Sequence, residues 1–234
     1  MMRATEEFLL SDIPRYCGIM NCIRRGTARI VAQSERGLFI RETFSGIYFL
    51  ASPDAAETKK LLASHPLAPG DECEVFTAGA AEYLQKMYPR ATFTECRQYV
   101  YLGKEPPEYE KRLDMRAATP DDLPFVRRHY HLVDEDMLVL AVERRELFVA
   151  RAGNVKVGFI GVHAEGCMGM LYVLPRFRRC GYGREMELFM TGEMMRAGLY
   201  PYGQVFISNK ASLALQKTTD YEKAQCEMYW FIIK

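Results

Sequence analysis

Leu171-Tyr172-Val173-Leu174-Pro175-Arg176-Phe177-Arg178-Arg179-Cys180-Gly181-Tyr182-Gly183-Arg184 is the stretch of this chain from which the fold can be read. A β-rich run ends at Pro175, a basic loop with two glycines follows, and a helix starts at once. A helix N-terminus offers unpaired N–H groups and partial positive charge, which suits phosphate. Gly181 and Gly183 let backbone come close to an anion. Arg176, Arg178, Arg179 and Arg184 add charge. A P-loop would need Gly-Lys-Ser/Thr, and a dinucleotide fingerprint would need a third glycine and a downstream acid. Neither is present.

Working outward, Cys167 to Leu174 reads as a strand and Gly181 to Arg196 as a helix. Met186, Phe189, Met190 and Met194 fall on one helical face, the spacing of a core stripe. Upstream, Leu147 to Arg151 and Val155 to His163 are strands joined at Gly153-Asn154, a hairpin signal. Thr119-Pro120-Asp121-Asp122 opens a helix. Downstream, Gln204 to Ser208 is a strand, Lys210 to Thr218 a helix and Gln225 to Ile233 a last strand.

The first half has the same order. Ala28 to Gln33, Leu38 to Glu42 and Ile47 to Ala51 are strands. Ser52-Pro53-Asp54, with Ser52 as N-cap, opens a helix to about His65. Cys73 to Thr77 is a strand, Gly79 to Tyr88 a helix and Thr92 to Leu102 a strand. Glu74-Val75-Phe76 matches Gln204-Val205-Phe206; Ala81 matches Ala211, Cys96 matches Cys226 and Tyr99 matches Tyr229, all at an offset of 130. A constant offset and a shared element order predict two copies of one α/β fold. The linker-like Gly103-Lys104-Glu105-Pro106-Pro107-Glu108 separates them, giving domains 1–105 and 113–234.

The strand L-Y-V-x-P, the R-x-x-G-x-G of Arg178 to Gly183, and Asn209-Lys210-Ala211-Ser212 at the next helix start together resemble the Gcn5-related N-acetyltransferase (GNAT) superfamily and its FR47-like branch. The resemblance covers about Met115 to Lys234. It implies an α/β (α+β) chain of two tandem GNAT-like halves, each a mixed, mostly antiparallel sheet flanked by helices. It also implies acetyl-CoA, or another acyl-CoA, as co-substrate. By position, Leu171, Tyr172 and Val173 would run along the pantetheine arm. Arg178, Arg179, Cys180, Gly181, Tyr182, Gly183 and Arg184 would surround the pyrophosphate, and Asn209 and Ser212 would meet the pantetheine side. Two places depart from the pattern: Gln216 stands where the family often has a tyrosine acid, and Asp220-Tyr221 replaces a Gly-Phe.

The chemistry required is deprotonation of an amine. At pH 7 an alkylamine of pKa ~10 is only about 0.1% neutral, whereas a thiolate leaves readily. Glu165 and His163 are candidate bases, and Tyr221, with Tyr172, a candidate acid. Cys180 is read as loop filler, since direct transfer needs no acyl-enzyme. The first half has Ala51-Ser52-Pro53-Asp54-Ala55-Ala56 at the corresponding place, with no arginine and no glycine pair, and reads as a copy without cofactor.

Composition sets the outer bounds. The chain has 234 residues, 31 Lys and Arg against 30 Asp and Glu, and net charge +1. That balance argues against a nucleic-acid or polybasic membrane-surface protein. Seven Cys (an odd number) without C-x-x-C predict reduced thiols and no metal. No signal peptide and no membrane span is read, so the expectation is a cytoplasmic protein, monomer or homodimer, acting on a small-molecule amine. A non-catalytic acyl-CoA sensor or partner-binding module is the alternative.

Overall fold

Polar–apolar alternation and turn chemistry place most strands where the sequence puts them, in a computed structural model that describes residues 2–234. In chain order the elements are α1 (Arg3–Leu10), α2 (Ile13–Arg24), β1 (Ala28–Ser34), β2 (Gly37–Glu42), β3 (Tyr48–Ala51), α3 (Ala55–Leu62), β4 (Glu72–Val75), α4 (Ala78–Met87), β5 (Thr92–Val100), β6 (Asp114–Ala117), α5 (Leu123–Arg127), α6 (Glu135–Glu143), β7 (Leu147–Ala152), β8 (Val155–Val162), β9 (Met168–Val173), α7 (Tyr182–Arg196), β10 (Tyr202–Phe206), α8 (Lys210–Gln216), β11 (Glu222–Lys223) and β12 (Met228–Ile232). The chain is a mixed α/β protein with a mostly antiparallel sheet flanked by helices. No helix of the described residues is long and apolar enough to cross a membrane.

Two compact units emerge. The first holds residues 2–100, 204–210 and 222–234; the second holds 101–203 and 211–221. In the first, β1, β2 and β3 are antiparallel neighbours and β3 runs parallel to β4 across α3. β12 lies between β4 and β5, antiparallel to both. Phe39, Leu50, Val75, Leu84 and Phe231 are fully buried in its core. Each such side chain contributes ~1.5–3 kcal/mol of burial. Phe231 is therefore core of the first unit, and the expected division at 1–105 and 113–234 is redrawn at its C-terminal end. The chain's last strand is spent on the first sheet.

Helices α1 and α2 are absent from the sequence reading. Asp12 caps α2 by accepting from the Arg15 N–H at 3.2 Å, and Pro14 sits in its first turn. Tyr16, Cys17, Ile19 and Cys22 are then buried. The cap of α3 also differs. Asp54, not Ser52, accepts the Glu57 N–H at 2.9 Å, while the Ser52 hydroxyl is bonded to Thr58 Oγ1 at 2.7 Å.

In the second unit β6, β7, β8 and β9 are antiparallel neighbours, and β9 runs parallel to β10 across α7. The Gly153-Asn154 turn closes the hairpin, with Gly153 in the left-handed region at φ 57°. Thr119 and Asp122 form the capping box that starts the helical segment. Asp122 is buried and takes Arg116 through both oxygens at 2.9 Å and Lys156 at 2.7 Å. Burial alone would raise its pKa, but these partners and Thr119 hold it well below the usual carboxylate range. Met186, Met190 and Met194 of α7 are buried, as the stripe predicts, and Phe189 packs edge-on against Phe148 at 5.0 Å. Thus hairpin, strand, helix, strand, helix, strand occurs twice, and both crossover helices join parallel strands. Glu74 and Gln204, 130 positions apart, share a 2.8 Å hydrogen bond within the first unit.

Candidate active site

Strand β9 is built to part from its neighbours. Gly158 opposes Val173 and Phe159 opposes Tyr172, but Gly161 opposes Gly169. Two residues of β9, Met170 and Leu171, therefore face one of β8, which is a β-bulge. Met170 takes φ 49°, unusual for a side chain of its size. Gly158 makes room for the approach: a Cβ there would lie 2.1 Å from the Tyr172 carbonyl oxygen. On the other edge the described pairing with β10 is confined to Met168 and Gly203. The Leu174 N–H donates to the Val157 carbonyl at 2.9 Å, so Val173 turns its own groups to the opposite edge. Its carbonyl there accepts from Arg178 Nε at 3.0 Å.

The loop then needs two left-handed residues, Arg179 at φ 66° and Gly181 at φ 82°. Gly181 is the N-cap of α7, and no side chain caps the helix. The first-turn N–H groups of a 15-residue helix are thus uncovered by any capping side chain. Gly183 follows. A Cβ there would touch Leu215 and Val173 only at 3.8 Å, an ordinary contact. Neither packing nor φ requires glycine at 183, although glycine costs a helix up to about 1 kcal/mol relative to alanine. Arg178, Arg179 and Cys180 are exposed and Tyr182 and Arg184 half-buried. Arg184 Nε donates to the Thr218 carbonyl at 2.6 Å.

Sequence reasoning missed Arg112. A Cβ on Gly181 would lie 2.8 Å from its guanidinium, which also stands 5.4 Å from the Tyr182 ring centroid. The buried Glu185 accepts the N–H groups of Arg112 and Leu113, each at 2.7 Å, and so pins this arginine beside the loop. Glu187 was missed too, although Gly183, Glu187 and Thr191 recur at four-residue spacing on one helix face. Gln216 donates to Glu187, and Glu187 Oε2 and Gln216 Oε1 are buried without partners. Burial pushes the Glu187 carboxyl up to about 7 against the opposing pull of Gln216 and Arg184.

The four candidate proton-transfer residues, Glu165, His163, Tyr172 and Tyr221, have different settings. Tyr221 is buried, its hydroxyl 2.6 Å from Thr191 Oγ1 and donating to Met168 Sδ at 3.3 Å. Burial, with the Glu187 charge, raises its pKa well above the ordinary phenol value. His163 instead lies against the Gly169 backbone, with Nε2 3.3 Å from the Tyr130 hydroxyl. Glu165 shares the turn that closes at Gly166 (φ 90°) and is buried rather than solvated. Ser212 lies in the second unit and Asn209 in the segment grouped with the first, its N–H donating to the Phe206 carbonyl at 2.8 Å.

Residues 156–231 match the FR47-like protein family. Solved structures share the fold along nearly the whole chain. A Drosophila protein from a structural genomics programme has TM-score 0.69 at 16% identity, covering 98% of this chain and 94% of its own. A GCN5-related N-acetyltransferase from Kribbella flavida has TM-score 0.60 at 14% identity, covering 99% and 96%. A GCN5-related N-acetyltransferase-like protein from Streptococcus suis has TM-score 0.58 at 13% identity, covering 97% and 98%. No curated protein matches the sequence.

Proposed function

We propose that this chain, which has the fold of the GCN5-related N-acetyltransferases and an FR47-like segment, is an acyl-CoA-dependent N-acyltransferase acting on a small primary amine. The observation that carries this reading is Gly183. A glycine in the first turn of an uncapped helix, with room for a methyl group that the protein does not fill, is the place where a ligand approaches backbone. The surroundings suit a pyrophosphate: first-turn N–H groups, Arg179, Arg184 and the pinned Arg112, with Arg178, Cys180, Gly181 and Tyr182 forming the turn. The bulged, parted edge at Leu171, Tyr172 and Val173 suits an extended amide-bearing arm, with Ser212 of the same unit as a further partner. Uncovered backbone donors near a thioester carbonyl are the kind of preorganised dipole that stabilises negative charge developing there.

In this reading the second unit binds the acyl donor and His163 takes the amine proton. Glu165 lies in the same turn as His163. Tyr221, committed to Thr191, packs the interior rather than serving as acid. One observation favours the alternative of an acyl-CoA sensor: Gln216 stands in place of a hydroxyl and is turned onto Glu187. Thiol release from acetyl-CoA, followed across a panel of primary amines, separates the two. Amine-dependent release that disappears in Gly183→Asp is the expected result. Binding of acetyl-CoA with no release for any amine would establish the sensor instead.

A further inference from the structure

Tyr130 lies in the segment between α5 and α6, 33 positions before His163 and outside every motif discussed above. The two side chains nevertheless meet, Tyr130 Oη to His163 Nε2 at 3.3 Å. The His163 ring in turn packs over Gly169, the neighbour of the bulge residue Met170 with φ 49°. That ties the phenol to the strand edge where the thioester is placed in the proposed function. The Tyr130 ring meets Phe159 edge-on at 6.3 Å, and Phe159 stacks on Tyr172 at 5.7 Å, with the half-buried His129 stacked on Tyr172 at 4.8 Å.

We infer that Tyr130 and His163 form a two-residue proton relay at the bulge of β9, with Tyr130 facing the reacting nitrogen and His163 behind it. This rests on the N-acyltransferase reading. In this relay the phenol hydrogen points at His163 Nε2, and the phenol oxygen keeps its lone pairs for an incoming amine. His163 is then the tautomer with its proton on Nδ1. As the amine nitrogen bonds to the acyl carbon and the C–S bond breaks, the surplus proton on nitrogen passes to Tyr130 Oη. The phenol's own proton passes to His163 Nε2. The imidazolium returns that proton through Tyr130 to the departing thiolate sulfur, so both side chains end as they began. Burial keeps Tyr130 protonated well above the ordinary phenol range, and the charges of Cys167 and Glu165 act in the same direction. These two groups, with His129 from the α5–α6 segment, Tyr172 of β9 and His163 itself, are the titratable side chains around the relay.

The test combines kinetics with a measurement that needs no turnover. Tyr130→Phe and His163→Gln should each lower kcat by ~100-fold with the Kd of CoA unchanged, the scale of a lost acid–base group. The double variant should be no worse than either single one, because the two act as a unit. Nitrogen-15 NMR of labelled imidazole should show His163 as the Nδ1–H tautomer in the wild type and lose that preference in Tyr130→Phe. Independent, multiplying losses, a Tyr130→Phe variant that keeps its kcat, or an Nε2–H tautomer in the wild type would overturn the relay. If no amine gives turnover, the N-acyltransferase reading fails and the relay with it; the tautomer then shows whether the pair exists as a structural hydrogen bond.

Discussion

At the start of α3 a carboxylate sits where, at the start of α7, there is a left-handed glycine. Both helices follow the third strand of a repeated element order, and both cross between parallel strands. Asp54 closes α3 by accepting the Glu57 N–H, and its charge offsets the helix dipole. Arg36, 3.6 Å from Asp54 on the surface, completes that satisfied end. Gly181 gives α7 no cap, and Gly183 leaves space beside it. The same scaffold therefore presents one helix terminus closed by its own carboxylate and one that no side chain caps. The difference is made by two or three residues in the turn and not by the fold.

Five substitutions test how far that contrast reaches. Gly183→Asp places a carboxylate where the phosphate is proposed to sit. Because a Cβ at 183 meets nothing closer than 3.8 Å, the variant should fold normally. Its affinity for CoA should fall by ~100-fold or more, about 3 kcal/mol, as measured by titration calorimetry. Gly183→Ala, with the same folding and a smaller loss, would show that proximity matters as well as charge.

Glu187 marks a second contrast, since the residue six past the cap of α3 is the exposed Lys60. With its carboxyl at about 7 in the fold, Glu187 favours the folded state while protonated. That contribution is fully present below the ordinary Glu value of ~4.3 and is lost as pH rises through about 7, a decline of ~3–4 kcal/mol in all. Urea unfolding at pH 5 and pH 8 should show the decline in wild type and a flatter response in Glu187→Gln. Arg184→Ala should weaken CoA binding by ~10-fold, and the gap should narrow as salt is raised. Asp54→Ala is the smallest change. It should cost ~1 kcal/mol of stability through the lost cap, seen in thermal unfolding, and create no second CoA site.

What could be read from the sequence was what is local. The Gly153-Asn154 hairpin, the Thr119 and Asp122 capping box and the strand–loop–helix of Leu171 to Arg196 are each specified within a few residues, and the structure holds them close to where they were placed. The repeat predicted the shared element order. Three things escaped because their partners are distant. Helix α2 carries a start signal in Asp12 and Pro14, but Cys17, Ile19 and Cys22 identify themselves as core only once the sheet is there to cover them. The insertion of β12 between β4 and β5 is a pairing across more than 130 residues, which no periodicity encodes. Tyr130 meets His163 only because the α5–α6 segment folds back onto β9. Glu187 is the exception. Its spacing from Gly183 and Thr191 was legible, but one of three glutamates on a helix reads as solvated until burial is known.

The contrast between the two helix starts is tested most directly by calorimetric titration of the intact chain with acetyl-CoA and with free CoA. One site per chain, lost in Gly183→Asp and unchanged in Asp54→Ala, is the predicted result. Two sites per chain, binding that survives Gly183→Asp, or no binding at millimolar ligand would contradict it.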